Sequence, residues 1–331
     1  KGVVTLILFL ELFALYIGKD NDEMFDQEIK DIENVWKAGK DMLWKKDKLR
    51  PTQPYFVLDS KNFRQEVYLQ QVIYHFYTFE VEKPQMLNAV PDACIDLFFE
   101  YTQEGLEAYA CGSPLRFTSH EWRGRREVFG VRFMPGVQPG IIRAKMKDLA
   151  DERVPLSDIV LDEKLIPLMA EQKDFYQRIR VFLQQYTKSM RQWEKKKSVE
   201  KEELVWAVKR LVYESDGKIR IAELREKTGY SERYINKVFI DEMGFSPKVF
   251  CKIIQFQRTL EFLNYGAPDK MTDAAVYLGY YDQPQFIRDF KAYCGITPLK
   301  YLKLSEAHKY KKQIQETKIL PRLNLHIKKT Y

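Results

Sequence analysis

Residues 279–298 read GYYDQPQFIRDFKAYCGITP, and fifty positions upstream residues 229–247 read GYSERYINKVFIDEMGFSP. Both stretches carry one design. A helix-like segment (Leu224–Thr228 in the first copy, Ala274–Leu278 in the second) runs into Gly-Tyr, then a short polar turn, then a second helix. Each copy closes on the same turn chemistry, Gly244-Phe245-Ser246-Pro247 and Gly295-Ile296-Thr297-Pro298. The glycines stand where a helix must stop and the chain reverse, which favours a residue that tolerates positive φ. Ser231 and Asp282 are good N-caps for the second helix of each copy. The second copy has one extra residue before its cap, Tyr281. Ser246-Pro247 and Thr297-Pro298 put a capping hydroxyl before a proline at the first helical position, a strong start signal.

The faces of the two second helices can be read from spacing. Ile235 with Phe239, and Phe286 with Phe290, are separated by four residues, so each pair lies on one face and packs against the helix before it. Arg233, Asn236 and Lys237 are left on the outer face of one, and Gln283 and Arg288 on that of the other. A helix-turn-helix divides its labour in this way: one helix braces, the other shows polar side chains to the major groove. Between the copies, Pro247 to Asn264 carries Phe250, Ile253, Ile254, Phe256, Leu260 and Leu263. Eighteen helical residues span roughly 27 Å, so a rigid linker helix would hold two reading helices about one DNA turn apart.

Working outward, the texture changes. Residues 1–50 read as helical, and the apolar run Val3–Ile17 is too short for a typical span and contains Glu11. A packed N-terminal helix is the simplest reading, with a membrane anchor or signal as the alternative. From Tyr55 to Phe133 the chain is rich in β-branched and aromatic residues. Val67–Phe79 and Cys94–Tyr101 read as strand, Thr102–Gly105 as a hairpin turn into Leu106–Cys111, and Glu127–Phe133 as a strand stopped by Pro135-Gly136. Such a series suggests a small sandwich or barrel. Leu161–Tyr186 reads as a helix whose apolar face suits dimerisation. Lys195–Ser198 is a linker, and the segment after Leu304 is basic.

Composition bounds the function only loosely. The 331 residues are 45% hydrophobic and 31% charged, with a formal charge of +7. Residues 198–304 hold 17 basic and 15 acidic side chains, while 305–331 hold 7 and 2, so a nucleic-acid partner is argued by pattern and not by bulk charge. Cys94, Cys111, Cys251 and Cys294 form no CxxC pair and read as buried apolar residues, although Cys94 and Cys111 could face each other across a hairpin. His75 and His120 stand apart with no HxH, so neither metal nor other cofactor is expected. Arg123, Arg125 and Arg126 form a basic turn, a solvated loop or a holder of an acidic ligand. There is no GxSxG, no Cys paired with His at a recognisable spacing and no Gly-rich phosphate loop, which argues against an enzyme.

The stretch GYYDQPQFIRDFKAYCGITP, with the linker helix and first copy before it, resembles the AraC/XylS family of transcription regulators over residues 200–304. Residues 91–99 and 130–136 resemble, more loosely, the β-rich N-terminal sensor region of one branch of that family. The resemblance implies an α+β multidomain chain in which a cupin-like barrel precedes an all-α domain with two helix-turn-helix units. The expected organisation is a helical segment 1–50, a sensor domain 51–150, a helical dimerisation or linker segment 151–194, a DNA-binding domain 195–304 and a basic extension 305–331. It also implies a cytoplasmic regulator, commonly an activator. Its partners would be double-stranded promoter DNA, RNA polymerase, a small effector and a second copy of itself. Base-reading positions fall on Arg233, Asn236, Lys237, Gln283, Gln285 and Arg288. Pro284 and Ile287 depart from the pattern, where many relatives carry polar residues, so the second unit's base reading is expected to be thinner. A catalytic N-terminal region, or an interaction protein without DNA binding, are the competing readings.

Overall fold

The computed structural model describes residues 51–70, 72–193, 199–265, 275–307 and 318–319. The expected N-terminal segment 1–50, the linker at 195–198 and nearly all of the basic extension lie outside the described residues.

After a short helix α1 (Pro54–Leu58), the β-rich part runs β1 (Lys61–Gln70), β2 (Ile73–Val81), β3 (Gln85–Ala89), β4 (Asp96–Tyr101), β5 (Leu106–Cys111), β6 (Thr118–Trp122) and β7 (Arg126–Phe133). Two further strands, β8 (Arg153–Pro155) and β9 (Lys318–Ile319), complete a seven-stranded sheet in the order β8-β5-β4-β7-β2-β1-β9, faced by a two-stranded sheet of β3 and β6. The cupin-like expectation thus takes the form of two facing sheets that do not join into a closed barrel among the described residues. The β-textured stretch 67–79 supplies the two arms of a hairpin, bent at Val72, whose φ is 63°. β8 pairs with β5 through Tyr109↔Pro155 and Cys111↔Arg153, so the sheet extends past residue 150 into the segment expected to be helical.

Apolar side chains leave both faces of the large sheet. On one face Phe56, Phe79, Phe98 and Trp122 meet between the two sheets, with Phe98 to Trp122 ring centroids 6.1 Å apart. On the other, Phe76, Phe99 and Phe129 pack against a long helix. Phe98 and Tyr77 both lie opposite Gly130. A Cβ on Gly130 would come within 2.1 Å of the Tyr77 ring, so only glycine lets that ring cross the strand. Tyr77 then donates its hydroxyl to Asp96 at 2.8 Å. Arg132, 1% exposed, is held by Asp96 at 2.7 Å and Asp92 at 3.0 Å.

Helices follow: α2 (Met146–Leu149), α3 (Leu156–Ile159), α4 (Leu165–Ala170) and α5 (Phe175–Trp193). The single helix expected over 161–186 is interrupted between α4 and α5. Phe175, Ile179, Phe182, Leu183 and Tyr186 of α5 recur at helical spacing and are buried on the sheet. The apolar face expected to serve dimerisation is therefore used within the chain. The helical part comprises α6 (Val199–Glu214), α7 (Ile221–Thr228), α8 (Glu232–Met243), α9 (Pro247–Tyr265), α10 (Gln283–Cys294) and α11 (Pro298–Ala307). All four cysteines are free, which disposes of a Cys94–Cys111 bridge. Burial pushes the Cys251 thiol up to about 11 and that of Cys294 up to about 12, so neither is a thiolate near neutrality.

Candidate nucleic-acid interface

The two copies fold alike, and their caps align residue by residue. In the first, α7 ends at Gly229 in the left-handed region (φ 76°), and Ser231 caps α8 by accepting from the Tyr234 N–H. In the second, residues 275–277 are helical and Gly279 has φ 82°, and Asp282 caps α10 by accepting from the Gln285 N–H at 2.7 Å. Both α8 and α10 are 12 residues long, and both end on a glycine at φ 80°, Gly244 and Gly295. Ser231 therefore corresponds to Asp282, and Arg233, Asn236 and Lys237 correspond to Pro284, Ile287 and Arg288.

The buried faces follow the spacing read from the sequence. Ile235, Val238, Phe239 and Met243 of α8 are buried, and Phe239 meets Phe250 of α9 at 5.6 Å. Phe286, Phe290 and Cys294 of α10 are buried, and Phe290 meets Phe256 at 5.6 Å and Tyr301 at 5.8 Å. Arg233, Asn236, Lys237 and Arg288 are all exposed. Gln283 and Gln285 are half-buried, and the Gln285 side-chain oxygen accepts the Tyr281 N–H at 2.9 Å. Tyr281 itself is 91% exposed.

The linker helix α9 does more than present an apolar face. Its buried polar residues, which the sequence reading passed over, fasten the second unit. Gln255 donates to the Leu278 carbonyl at 3.0 Å, Thr259 meets the Tyr280 hydroxyl at 3.1 Å, and Asn264 accepts from the Tyr301 hydroxyl at 2.9 Å. Lys252 pairs with Asp289 of α10 at 2.8 Å. Nineteen helical residues make α9 about 28 Å long.

The β-rich part touches both units at equivalent places. A Cβ on Gly244 would lie 2.7 Å from the Lys147 Cα and from the Ala150 Cβ, and one on Gly295 would lie 2.8 Å from the Phe117 ring. The left-handed caps thus double as docking points at the C-terminal ends of α8 and α10, away from Arg233 and Tyr281 near their N-terminal ends. A third contact grips α9. Gln257, fully buried, accepts from the Thr52 N–H at 2.8 Å and donates to the Pro91 carbonyl at 2.7 Å. Only the turn chemistry of these glycines was readable in the sequence; what fills the space beside them was not.

Between the two sheets lies a cavity of about 70 Å³ whose walls include Phe56, Phe98, Trp122, Asp92, Asp96 and Arg153. Gln53, Thr118 and Asp151 also border it, and each is next in sequence to a docking residue: Thr52, Phe117 and Ala150. In the basic turn Arg126 pairs with the buried Glu100 and Arg123 with Glu121 at the surface, while Arg125 is exposed. No helix among the described residues is long and apolar enough to cross a membrane.

Comparison with known proteins adds the following. Residues 224–304 match a family described as a helix-turn-helix domain, and residues 65–155 match a domain of unknown function. A protein from Rhodopseudomonas palustris, described as a probable AraC family transcriptional regulator, is 31% identical over 30% of this chain and 95% of its own, with a TM-score of 0.28. ToxT from Vibrio cholerae is 14% identical over 69% of this chain and 97% of its own, with a TM-score of 0.35. Another ToxT structure, bound to a naphthalenyl butenoic acid, is 12% identical over 74% and 99% of the two chains, again with a TM-score of 0.35. Among curated proteins none matches the chain. The weight falls on the match over 224–304 and on the 31% identity, which covers nearly all of the Rhodopseudomonas protein.

Proposed function

From the premise that the chain belongs to the AraC family of transcription regulators and carries its DNA-binding helix-turn-helix domain, we propose that α8 and α10 enter two successive major grooves of one promoter. The observation that carries this reading is the cap-for-cap equivalence of the two units, with Arg233, Asn236, Lys237 and Arg288 all exposed. Arg and Lys suit guanine O6 and N7, and Asn suits adenine. Gln283 and Gln285 belong to the same surface, with the Gln285 amide steadied by the bond its oxygen accepts from the Tyr281 N–H. The reading is that of a cytoplasmic regulator and not an enzyme. Activation through RNA polymerase and pairing of two copies are part of the same proposal. The pairing surface is one other than the apolar face of α5, which the sheet covers.

Small-effector control is supported by the cavity between the sheets. The segments that border it also hold Gly244, Gly295 and Gln257, so a ligand there shifts the three grips that set the spacing of α8 and α10. The cavity walls combine aromatic rings with Asp92 and Asp96, both already paired with the buried Arg132, and with Arg153, which pairs with Glu100.

Footprinting of the full chain on DNA upstream of its own coding sequence is the direct test. The expected result is protection of about two helical turns, weakening steeply as salt rises because phosphate contacts release counterions. Absence of any protected stretch at low salt would contradict the proposal.

A further inference from the structure

We propose that the second unit recognises thymine by its methyl group, through Tyr281, Pro284 and Ile287, whereas the first unit reads by hydrogen bonds. This rests on the DNA-binding reading above and deepens it.

The cap alignment makes the comparison position by position. Where α8 presents Arg233 and Asn236, α10 presents Pro284 and Ile287. Pro284 is exposed and has no side-chain polar atom, and Ile287 is half-buried, packed in part against the core of the second unit. The glutamine beside them, Gln285, is tethered. Its side-chain oxygen accepts the Tyr281 N–H, which occupies one of the two lone pairs and fixes the direction of the amide. That same hydrogen bond anchors the one residue by which the second unit exceeds the first. Tyr281 stands directly before the cap Asp282, 91% exposed, the most exposed large apolar side chain among the described residues.

No packing role explains an aromatic ring so placed. Arg288 and Lys291, one and two turns on along α10, are exposed on the same face, giving it the positive charge that attracts phosphates. A helix carrying apolar groups near its N-terminus and cations around them meets one apolar feature on base edges in the major groove, the thymine 5-methyl. The occupant of the apolar face is thus a run of thymine methyls in the half-site facing α10.

Substituting deoxyuridine for thymidine tests this, because it removes the methyl and keeps every hydrogen-bonding group. With the full chain and a duplex containing its footprinted site, each thymidine is replaced in turn and the affinity measured. The expected result is a loss of about fourfold for each contacted methyl, confined to the half-site away from the one affected by Arg233→Ala. In the Tyr281→Ala protein the deoxyuridine effect nearest α10 should disappear. That exposed position leaves folding intact, as thermal melting of the variant will report. If the chain protects its site yet binds thymidine and deoxyuridine duplexes equally, methyl reading is overturned while DNA binding stands. Deoxyuridine effects spread evenly over both half-sites would also overturn it. Absence of any protected site would overturn both readings.

Discussion

The two helix-turn-helix units share a scaffold and differ in what they show. Each is built from a left-handed glycine, a capped 12-residue helix, two buried positions four residues apart and a second left-handed glycine. On that common frame α8 exposes Arg233, Asn236 and Lys237, while α10 exposes Pro284, Arg288 and the preceding Tyr281. The frame is dictated by chain reversal and packing, which leave little choice of residue. The outward face is free of those demands, so its divergence reflects the partner and not the fold.

The largest expected effect separates the docking glycines from an unconstrained one. Gly244→Ala forces a side chain into positive φ and into the Lys147 backbone, and should destabilise the protein by about 2–4 kcal/mol. Gly229→Ala has the same backbone strain with nothing within 4 Å of the new Cβ, and should cost only about 1–2 kcal/mol. Denaturant unfolding of both variants checks the ranking. Equal losses would mean that the β-rich part does not brace α8 through its cap.

A second contrast lies in binding. Arg233→Ala should weaken promoter affinity by about 1–3 kcal/mol and relax selectivity at one base pair. Arg288→Ala, flanked by Pro284 and Ile287, should weaken it by less and mostly through the salt-dependent part. Gel shifts at two salt concentrations distinguish the outcomes. Third, Ser231→Ala and Asp282→Ala each remove an N-cap worth about 1 kcal/mol. The second should cost more, because its bond is shorter and a carboxylate also interacts with the helix dipole. Unfolding midpoints report the order. The smallest effect is expected for Lys252→Met, which breaks a half-exposed pair with Asp289 and should cost less than about 1 kcal/mol.

The helical part was legible almost to the residue because its punctuation is local. A cap acts on a donor two or three residues away, and a left-handed glycine shows itself by position, so Ser231, Asp282, Gly244 and Gly295 could be read without knowing the fold. The β-rich part was less legible because its constraints are not local. In β4 the residues from Asp96 to Glu100 are all buried, so no alternation marks which face meets which sheet. β3 and β6, reading QMLNA and TSHEW, are too short and too polar to stand out. Within residues 67–79 the boundary between β1 and β2 carries no local mark, because the tight turn at Val72 lacks the usual glycine or asparagine. Arg233, Asn236, Lys237 and Arg288 stand exposed as their spacing predicts, whereas Gln283 is half-buried and Gln285 is tied to the Tyr281 N–H. Its engagement depends on Tyr281, whose backbone direction only the folded turn reveals.

Phasing of base contacts along the duplex tests the two-groove account most directly. Missing-base interference with the full chain should yield two clusters of sensitive positions about 10 base pairs apart on one face of the DNA. Arg233→Ala should erase one cluster and leave the other in place. A single cluster, or two on opposite faces, would contradict the reading of successive grooves by α8 and α10.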